Sequence, residues 1–263
     1  MKKIAFYGGG NISQSVIEGL IKAGYKKSNI FYKDRNKKNS NILKKLKIKK
    51  LDFGKAKEID YFILAVKPKD CISAFKDILE NYKNPKIVSF VAGINAKKYS
   101  VSGKKFSFMR AMPNTSSKYG LGITGIYNHS MGNADLKAIE NIFKKTGIVI
   151  KFDKEAKIDT FTGMIGSGPA YFFYLLKVYE KKLLRLTNGN KAKTNKIMIN
   201  LMRGISVSIE DRKDLNDLIK KVASKKGTTE AGLNSFNVSK LNKAFEKGIN
   251  SAINRSKEIS NEY

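Results

Sequence analysis

The sequence contains very few of the side chains on which many catalytic and metal sites depend: one histidine, one cysteine and no tryptophan in 263 residues. The single cysteine, Cys71, excludes a disulfide within the chain and a CxxC motif, which fits a reducing compartment. The single histidine, His129, lies in a polar stretch, where a surface role is expected. We therefore expect neither serine–histidine nor cysteine–histidine catalysis, and no metal site.

Long apolar runs are missing as well. A membrane-spanning helix needs roughly twenty apolar residues, and the nearest candidate, residues 169–176, is far shorter. Residues 4–7 are too short for the apolar core of a signal peptide. We therefore expect a cytoplasmic protein with no membrane partner.

Acidic residues are scarce relative to basic ones. The chain has 52 Lys and Arg residues against 22 Asp and Glu residues, a formal net charge of +30 at pH 7. Such an excess can indicate nucleic-acid binding, because phosphates attract cationic side chains without sequence preference. The lysines are spread over nearly all polar stretches, whereas a binding tract would concentrate them beside aromatic residues. We interpret the charge as a composition bias on solvated faces and expect no specific nucleic-acid partner.

The first twenty residues have the pattern of a strand, a glycine turn and a helix. An apolar run over residues 4–7 is followed by Gly8, Gly9 and Gly10 and then by apolar residues at helical spacing. Gly8 suits the backbone of a tight turn, and Gly10 leaves room for a pyrophosphate. Unpaired N–H groups and the helix dipole would bind the phosphates. This order predicts a dinucleotide site, although the third small residue of the fingerprint is Ser13.

The end of the second predicted strand, residues 29–33, is expected to select the cofactor. An acidic side chain there would bind a ribose 2′-hydroxyl, whereas cations would accept the 2′-phosphate of NADP. Asp34 favours NAD, while Lys33 and Arg35 favour NADP. We predict NADPH, with NADH as the alternative. A bound nicotinamide together with few titratable side chains favours hydride transfer, in which the protein mainly positions the reactants.

Strand and helix patterns alternate as far as residue 153, and only helical patterns follow. Continuous apolar runs such as residues 61–66 are typical of strands buried on both faces of a parallel sheet. The pattern predicts an α/β domain over residues 1–153 and an all-α domain over residues 154–263. The other predicted strands are residues 87–91, 106–109, 122–127 and 148–152; the predicted helices after the first are residues 72–82, 134–146, 169–186, 191–210, 215–222 and 238–257.

A late turn, residues 224–229 (SKKGTT), has the composition of a small-anion site. Gly227 permits close approach to the backbone, and Thr228 and Thr229 place hydroxyl and N–H groups at the start of a helix. Such a turn can hold a carboxylate. An ordinary capped turn between two helices is the alternative interpretation.

Six motifs of the chain, and their order, resemble those of the pyrroline-5-carboxylate reductase family. Members of this family catalyse the last step of proline synthesis. The motifs are Gly8-x-Gly10-Asn11, Ala65-Val-Lys-Pro68, Ser89-Phe-Val-Ala-Gly93, Arg110-Ala-Met-Pro-Asn-Thr115, Gly166-Ser-Gly-Pro-Ala-Tyr171 and Ser224-x-x-Gly-Thr-Thr229. The resemblance implies a Rossmann-type, mostly parallel sheet followed by an all-α dimerisation domain. It also implies a homodimer or a higher homo-oligomer such as a decamer.

The resemblance further implies that NAD(P)H reduces the C=N bond of 1-pyrroline-5-carboxylate to give L-proline. The cofactor residues that it implies are Gly8, Gly10, Asn11, Ile12, Ala65, Val66, Lys67, Pro68, Ala92 and Gly93. The substrate residues that it implies are Ser224, Gly227, Thr228, Thr229 and, near the substrate, Glu155. We hypothesise that the Thr229 hydroxyl is the catalytic group and hydrogen bonds the ring nitrogen.

The chain also departs from the family pattern. The family usually reads SPGGTT where this sequence has Lys225 and Lys226, and it usually has a serine where this sequence has Ile165. Two alternatives are therefore kept. One is a related reductase acting on another cyclic imine or a small oxo acid. The other is a non-catalytic protein that binds nucleotides or nucleic acid.

Overall fold

The chain forms two compact units. The computed structural model describes residues 1–52, 58–100, 103–211 and 214–262. Unit 1 comprises Met1–Pro169 together with Asn250–Tyr263, and unit 2 comprises Ala170–Ile249. Within the described residues, no helix is both long and apolar enough to cross a membrane.

An eight-stranded sheet lies at the centre of unit 1, in the order β3-β2-β1-β4-β5-β6-β7-β8. Neighbouring strands are parallel except for β6 and β7, which are antiparallel. The strands are β1 (Ile4–Tyr7), β2 (Ile30–Lys33), β3 (Lys49–Lys50), β4 (Tyr61–Leu64), β5 (Lys86–Ser89), β6 (Ser107–Met112), β7 (Gly122–Asn128) and β8 (Gly147–Phe152). This confirms the predicted mostly parallel, Rossmann-type sheet.

The apolar runs in the sequence correspond to strands that are covered on both faces. All four residues of β1 are buried, and so are all four of β4. Successive side chains of β1 alternate between two cores, with Phe6 in one and Ala5 in the other. Alternation with period two explains why a continuous apolar run is needed here.

Helices cover the sheet in unit 1. They are α1 (Asn11–Lys22), α2 (Lys37–Lys45), α3 (Cys71–Asn81), α4 (Ala96–Tyr99), α5 (Asn133–Lys144) and α6 (Ala156–Phe161), with a π-helical segment at Thr162–Gly166 and a 3₁₀ turn at Pro68–Asp70. The residue pattern does not predict α2. This helix buries only Leu43, so its sequence carries few apolar residues to indicate a helix.

Unit 2 is helical, as predicted. Its helices are α7 (Gly168–Leu186), α8 (Lys191–Asp211), α9 (Leu215–Val222), α10 (Thr228–Val238) and α11 (Leu241–Glu262); the first residues of α7 and the residues of α11 from Asn250 onward belong to unit 1. The helix predicted at residues 238–257 is wrong at its start. Lys240 has a φ of 53°, which separates α10 from α11.

The two compact units differ from the predicted division at residue 153, which followed the last strand pattern. That strand, β8, does end at Phe152. However, α6 packs on unit 1 through a small core of Met112, Ile158 and Phe161, so the compact unit continues to Pro169. The functional division at residue 153 stays a prediction.

The strand order reverses between β1 and β4, with β2 on one side of β1 and β4 on the other. The last residues of these three strands, Tyr7, Lys33 and Leu64, lie side by side in register. In open α/β sheets, ligands bind beyond the carboxyl ends of the strands at such a reversal. The fold therefore places a crevice at the glycine turn.

Candidate functional site

Gly8 connects the ends of three strands. Its φ is +101°, a conformation that L side chains rarely adopt, and an added Cβ would clash with the carbonyl group of Ala65. The Gly8 N–H donates to the Lys33 carbonyl oxygen at 2.9 Å. Gly8 therefore allows β1 to turn sharply while it stays close to β2 and β4.

Gly10 precedes α1 and faces open space. Its backbone is extended, with a φ of −69°, and no described atom lies within 4 Å of the position that a Cβ would take. Among the residues that the structure describes, no side chain caps α1. The N–H groups of its first turn, which includes Asn11 and Ile12, therefore remain available to an anion. Without a Cβ at Gly10, an anion can approach these N–H groups closely, as the predicted pyrophosphate site requires.

Ser13 and Gln14 hold the other side of the turn. The Ser13 hydroxyl is buried and donates to the Gly8 carbonyl oxygen at 2.6 Å, and the Gln14 amide donates to the Gly9 carbonyl oxygen at 2.7 Å. These bonds tie the carbonyl groups of the turn to α1. The serine is thus small enough for the third fingerprint position and adds a hydrogen bond that glycine cannot make.

A cavity of about 490 Å³ lies above the turn. Seven of the predicted cofactor residues line it: Gly8, Gly10, Lys33, Arg35, Ala65, Val66 and Lys67. Pro68 begins the adjoining 3₁₀ turn. Six polar lining residues were not predicted from the sequence because no motif includes them: Asn36, Asn39, Lys69, Asp70, Ser73 and Asp77.

Asp34 contacts the glycine turn. Its Oδ2 accepts from the Gly9 N–H at 2.5 Å and from the Asn39 amide at 3.0 Å, and its Oδ1 accepts from the Asn36 N–H at 2.6 Å. Its position after β2 predicts a ribose ligand that favours NAD. In the structure, its carboxylate instead holds the backbone around the turn.

Lys33 and Arg35 both line the cavity and both form ion pairs. The Lys33 Nζ lies 2.6 Å from an oxygen of Asp77, and the Arg35 Nη2 lies 2.7 Å from an oxygen of Asp70. The cations predicted to select NADPH therefore lie at the cavity, next to two carboxylates that no sequence motif indicates.

Ala92 and Gly93 contact other parts of unit 1. Gly93 has a φ of +75°, and an added Cβ would lie 2.6 Å from the Ser256 carbonyl oxygen on α11. Ala92 packs against the core formed by Met112, Ile158 and Phe161. The structure thus gives both residues a packing role, and their predicted contact with the cofactor stays a prediction.

Glu155 belongs to a buried ionic cluster around Arg110, whose side chain is 1% exposed. Arg110 contacts Glu155 at 3.3 Å and Asp159 at 2.9 Å, and Asp159 also accepts from the Ser256 hydroxyl at 3.1 Å. Glu155 accepts from the Ala96 N–H at 2.7 Å as well. These contacts join β6, α4, α6 and α11. The predicted role of Glu155 near the substrate stays a prediction.

The turn at residues 224–229 lies within unit 2. The Gly227 N–H donates to the Ser224 carbonyl oxygen at 3.0 Å, and α10 begins at Thr228. A Cβ on Gly227 would clash with the Ser224 hydroxyl. No side chain from the described parts of the chain caps this helix at Gly227. The turn therefore presents N–H and hydroxyl groups that can hold a small carboxylate.

Two further kinds of reactive group would be a cysteine thiol and a set of metal-ligating side chains. Cys71 is buried, and burial raises the pKa of its thiol to about 12, so it is protonated near neutral pH. Within the described residues there is no group of three or more His, Cys, Asp or Glu side chains that could hold a metal ion.

Comparison with known proteins agrees with this arrangement. The family model for pyrroline-5-carboxylate reductase dimerisation matches residues 155–259, and a model described as NADP oxidoreductase coenzyme F420-dependent matches residues 3–93. The pyrroline-5-carboxylate reductase of Staphylococcus epidermidis is 30% identical over 98% of both chains. A pyrroline-5-carboxylate reductase of Bacillus spizizenii is 32% identical over 99% of this chain and 90% of its own. The chain belongs to the pyrroline-5-carboxylate reductase family.

A solved structure of a family member supports the fold. The crystal structure of Plasmodium falciparum pyrroline carboxylate reductase with NADP bound has a TM-score of 0.87 over 98% of both chains, at 23% identity. Structural similarity therefore extends over both the sheet and the helical part of the chain.

Lys226 replaces a glycine of the family pattern at a position where glycine is favoured. Its φ is +59°, and its N–H donates to Glu230 at 2.6 Å. A left-handed conformation costs a non-glycine residue about 1 kcal/mol or more. We expect Lys226→Gly to raise the free energy of unfolding by about 0.5–1 kcal/mol, after allowing for the greater freedom of glycine in the unfolded chain. Urea unfolding followed by circular dichroism measures this difference.

Lys225→Gly is the matched control. It removes the same positive charge, but Lys225 does not have a positive φ, so no backbone strain is relieved. It should lower stability slightly. Equal effects of the two substitutions would contradict the interpretation based on backbone strain.

Proposed function

We propose that the chain is a pyrroline-5-carboxylate reductase, which reduces the C=N bond of 1-pyrroline-5-carboxylate with NADPH to give L-proline. The observation that carries this proposal is the uncapped N-terminus of α1, whose N-cap residue Gly10 lines the cavity. It occurs in a chain that belongs to this family. The relatives named above are themselves pyrroline-5-carboxylate reductases.

The cofactor is assigned to the cavity at the carboxyl ends of β1, β2 and β4. Gly8, Gly10, Asn11 and Ile12 would hold the pyrophosphate, and Lys33 and Arg35 would face the 2′-phosphate. Residues 65–68 and 92–93 are assigned to the lining of the cofactor crevice. When bound, the reduced nicotinamide supplies the hydride. The NADP in the Plasmodium structure and the match to an NADP oxidoreductase model support NADPH over NADH.

The substrate is assigned to the turn at residues 224–229. Backbone N–H groups around Gly227 and Thr228 would hold its carboxylate, and the Thr229 hydroxyl would hydrogen bond the ring nitrogen. Protonation of the imine nitrogen makes its neighbouring carbon electrophilic, so no strong acid on the enzyme is needed. This agrees with a chain that has one histidine. Glu155 is retained as a residue near the substrate.

Thr229→Ala should lower kcat about 10- to 100-fold, since orientation of the ring nitrogen contributes to the rate at about this level. Thr229 is half-buried in the first turn of α10, where alanine is compatible with the helix. Steady-state kinetics measures the effect. Thr229→Ser, which keeps the hydroxyl, should retain most of the activity. If Thr229→Ala left both kcat and its pH dependence unchanged, the hydroxyl would have no catalytic role.

A homo-oligomer is part of the proposal, and the match to the dimerisation model supports it. Large apolar side chains on α7 are exposed in the single chain, including Phe172, Phe173, Tyr174 and Val178 at 60–74%. Burial of these side chains against a second copy would remove them from water. A homodimer, or a larger assembly such as a decamer, is proposed, in the cytoplasm. Light scattering after size-exclusion chromatography gives the number of subunits.

The reaction itself is tested with a panel of substrates. The protein is incubated with NADPH and either 1-pyrroline-5-carboxylate, another cyclic imine or a small oxo acid, and the products are measured. Proline formation should be fastest. Faster reduction of another compound would favour a related reductase. A steep dependence of DNA affinity on salt, without oxidation of NADPH, would favour a nucleic-acid-binding protein.

A further inference from the structure

The two cations at the end of β2 are held by carboxylates from another part of the chain. Arg35 contacts Asp70 at 2.7 Å, and Lys33 contacts Asp77 at 2.6 Å. Asp70 ends the 3₁₀ turn after β4, and Asp77 lies on α3. All four side chains line the cavity assigned to the cofactor. Charges of both signs therefore border the place where a 2′-phosphate would lie.

Asp34 is already engaged at this end of the cavity. Both of its carboxylate oxygens accept hydrogen bonds from Gly9, Asn36 and Asn39 at 2.5–3.0 Å. A ribose hydroxyl would have to compete with these donors for the same oxygens. Discrimination between NADPH and NADH therefore depends on the cations and on the carboxylates that pair with them.

Arg35 is the more exposed member of this ion pair: its side chain is 82% exposed, whereas that of Asp70 is 31% exposed. An exposed ion pair is weak and easily exchanged. A phosphate has a greater charge than a carboxylate and can accept two parallel hydrogen bonds from a guanidinium group. A 2′-phosphate can therefore replace Asp70 as the partner of Arg35, while a ribose hydroxyl cannot.

We infer that Asp70 is a specificity-determining residue. When no 2′-phosphate is bound, the Asp70 carboxylate pairs with Arg35 and holds it at the cavity. A 2′-phosphate must displace this carboxylate before it can pair with Arg35, so Asp70 opposes its binding. This inference rests on the proposed function, since it concerns the cofactor of the same site. It adds that the preference for NADPH is limited by a carboxylate that lies two residues after the Ala65–Pro68 motif.

The test measures binding alone, by titration calorimetry of the full-length protein at fixed ionic strength. The probes are 2′,5′-ADP and 5′-AMP, which differ only in the 2′-phosphate. Asp70→Asn should tighten 2′,5′-ADP about 2- to 5-fold, because the phosphate no longer has to displace an exposed carboxylate from Arg35. The affinity for 5′-AMP should change less than about twofold, because 5′-AMP has no 2′-phosphate to pair with Arg35. Arg35→Ala should weaken 2′,5′-ADP about 10-fold or more through loss of a charge-assisted bond.

A double-variant cycle shows whether Asp70 acts through Arg35. In the Arg35→Ala background, the gain from Asp70→Asn should largely disappear. Asp153→Asn is the control for net charge, because Asp153 pairs with Lys157 at 2.6 Å and does not line the cavity. It should leave both affinities unchanged.

Equal tightening of both probes by Asp70→Asn, no tightening, or a gain that persists without Arg35 would overturn the inference while leaving the proposed reductase intact. If the unsubstituted protein bound neither probe, both the inference and the cofactor site would be rejected. Circular dichroism spectra that match the unsubstituted protein show that each variant is folded.

Discussion

Gly10→Val should abolish NADPH binding and leave the chain folded. Gly10 has a φ of −69°, which valine readily adopts, and the position of its Cβ is free of described atoms within 4 Å. Valine would therefore cause little strain in the protein itself. Its methyl groups would occupy the space beside the first turn of α1, where the pyrophosphate is expected to bind. We expect NADPH affinity to fall at least about 100-fold, because the phosphates would lose several charge-assisted hydrogen bonds.

Gly132 supplies a matched control. It also precedes a helix, α5, with a φ of −65° and no described atom within 4 Å of its Cβ position. Gly132→Val therefore carries the same loss of a favourable helix-capping residue but lies away from the cavity. NADPH fluorescence titration measures binding and circular dichroism measures folding. Tight NADPH binding by Gly10→Val, or equal loss of binding in both variants, would reject the assigned pyrophosphate site.

Arg110→Met should destabilise the fold by about 3–5 kcal/mol, the usual cost of removing one partner from a buried ion pair. Methionine approximately preserves the volume of the side chain but leaves Glu155 and Asp159 without their cation. Those side chains are 24% and 13% exposed, so water can compensate them only in part. The loss should appear as a lower urea midpoint in unfolding followed by circular dichroism.

Two further variants identify the cause. In Arg110→Met combined with Asp159→Asn, one uncompensated charge is removed, so part of the lost stability should return. Arg255→Met removes an arginine that pairs with Glu258 and Glu262 at the protein surface, and it should leave the midpoint nearly unchanged. If Arg255→Met and Arg110→Met lowered the midpoint equally, burial of the cluster would not be the cause.

The parts of the fold that the sequence predicted are those with a strong apolar pattern. The runs that form β1 and β4 are fully buried, and α1 buries Val16, Ile17 and Leu20 on one face. By contrast, α2 has a single buried apolar residue. Its start could have been identified from Asn36, whose side chain accepts from the N–H groups of Lys38 and Asn39.

The parts of the site that the sequence did not predict depend on contacts between distant segments. Asp34 has the spacing of a ribose ligand, and spacing alone cannot show that its carboxylate contacts Gly9, 25 residues earlier. Arg110 lies in a recognisable motif, but arginine is almost never fully buried unless it is paired, and its partners lie 45 and 49 residues later. Similarly, nothing in the residues around Lys226 indicates its positive φ except the glycine of the family pattern.

The most direct test of the central claim is the rate of proline formation from 1-pyrroline-5-carboxylate, measured with NADPH and again with NADH on the same folded preparation. We predict that proline forms in a one-to-one ratio with the NADPH oxidised, and that kcat/KM is higher with NADPH than with NADH. Absence of proline formation with both cofactors would contradict the assignment of this chain as a pyrroline-5-carboxylate reductase.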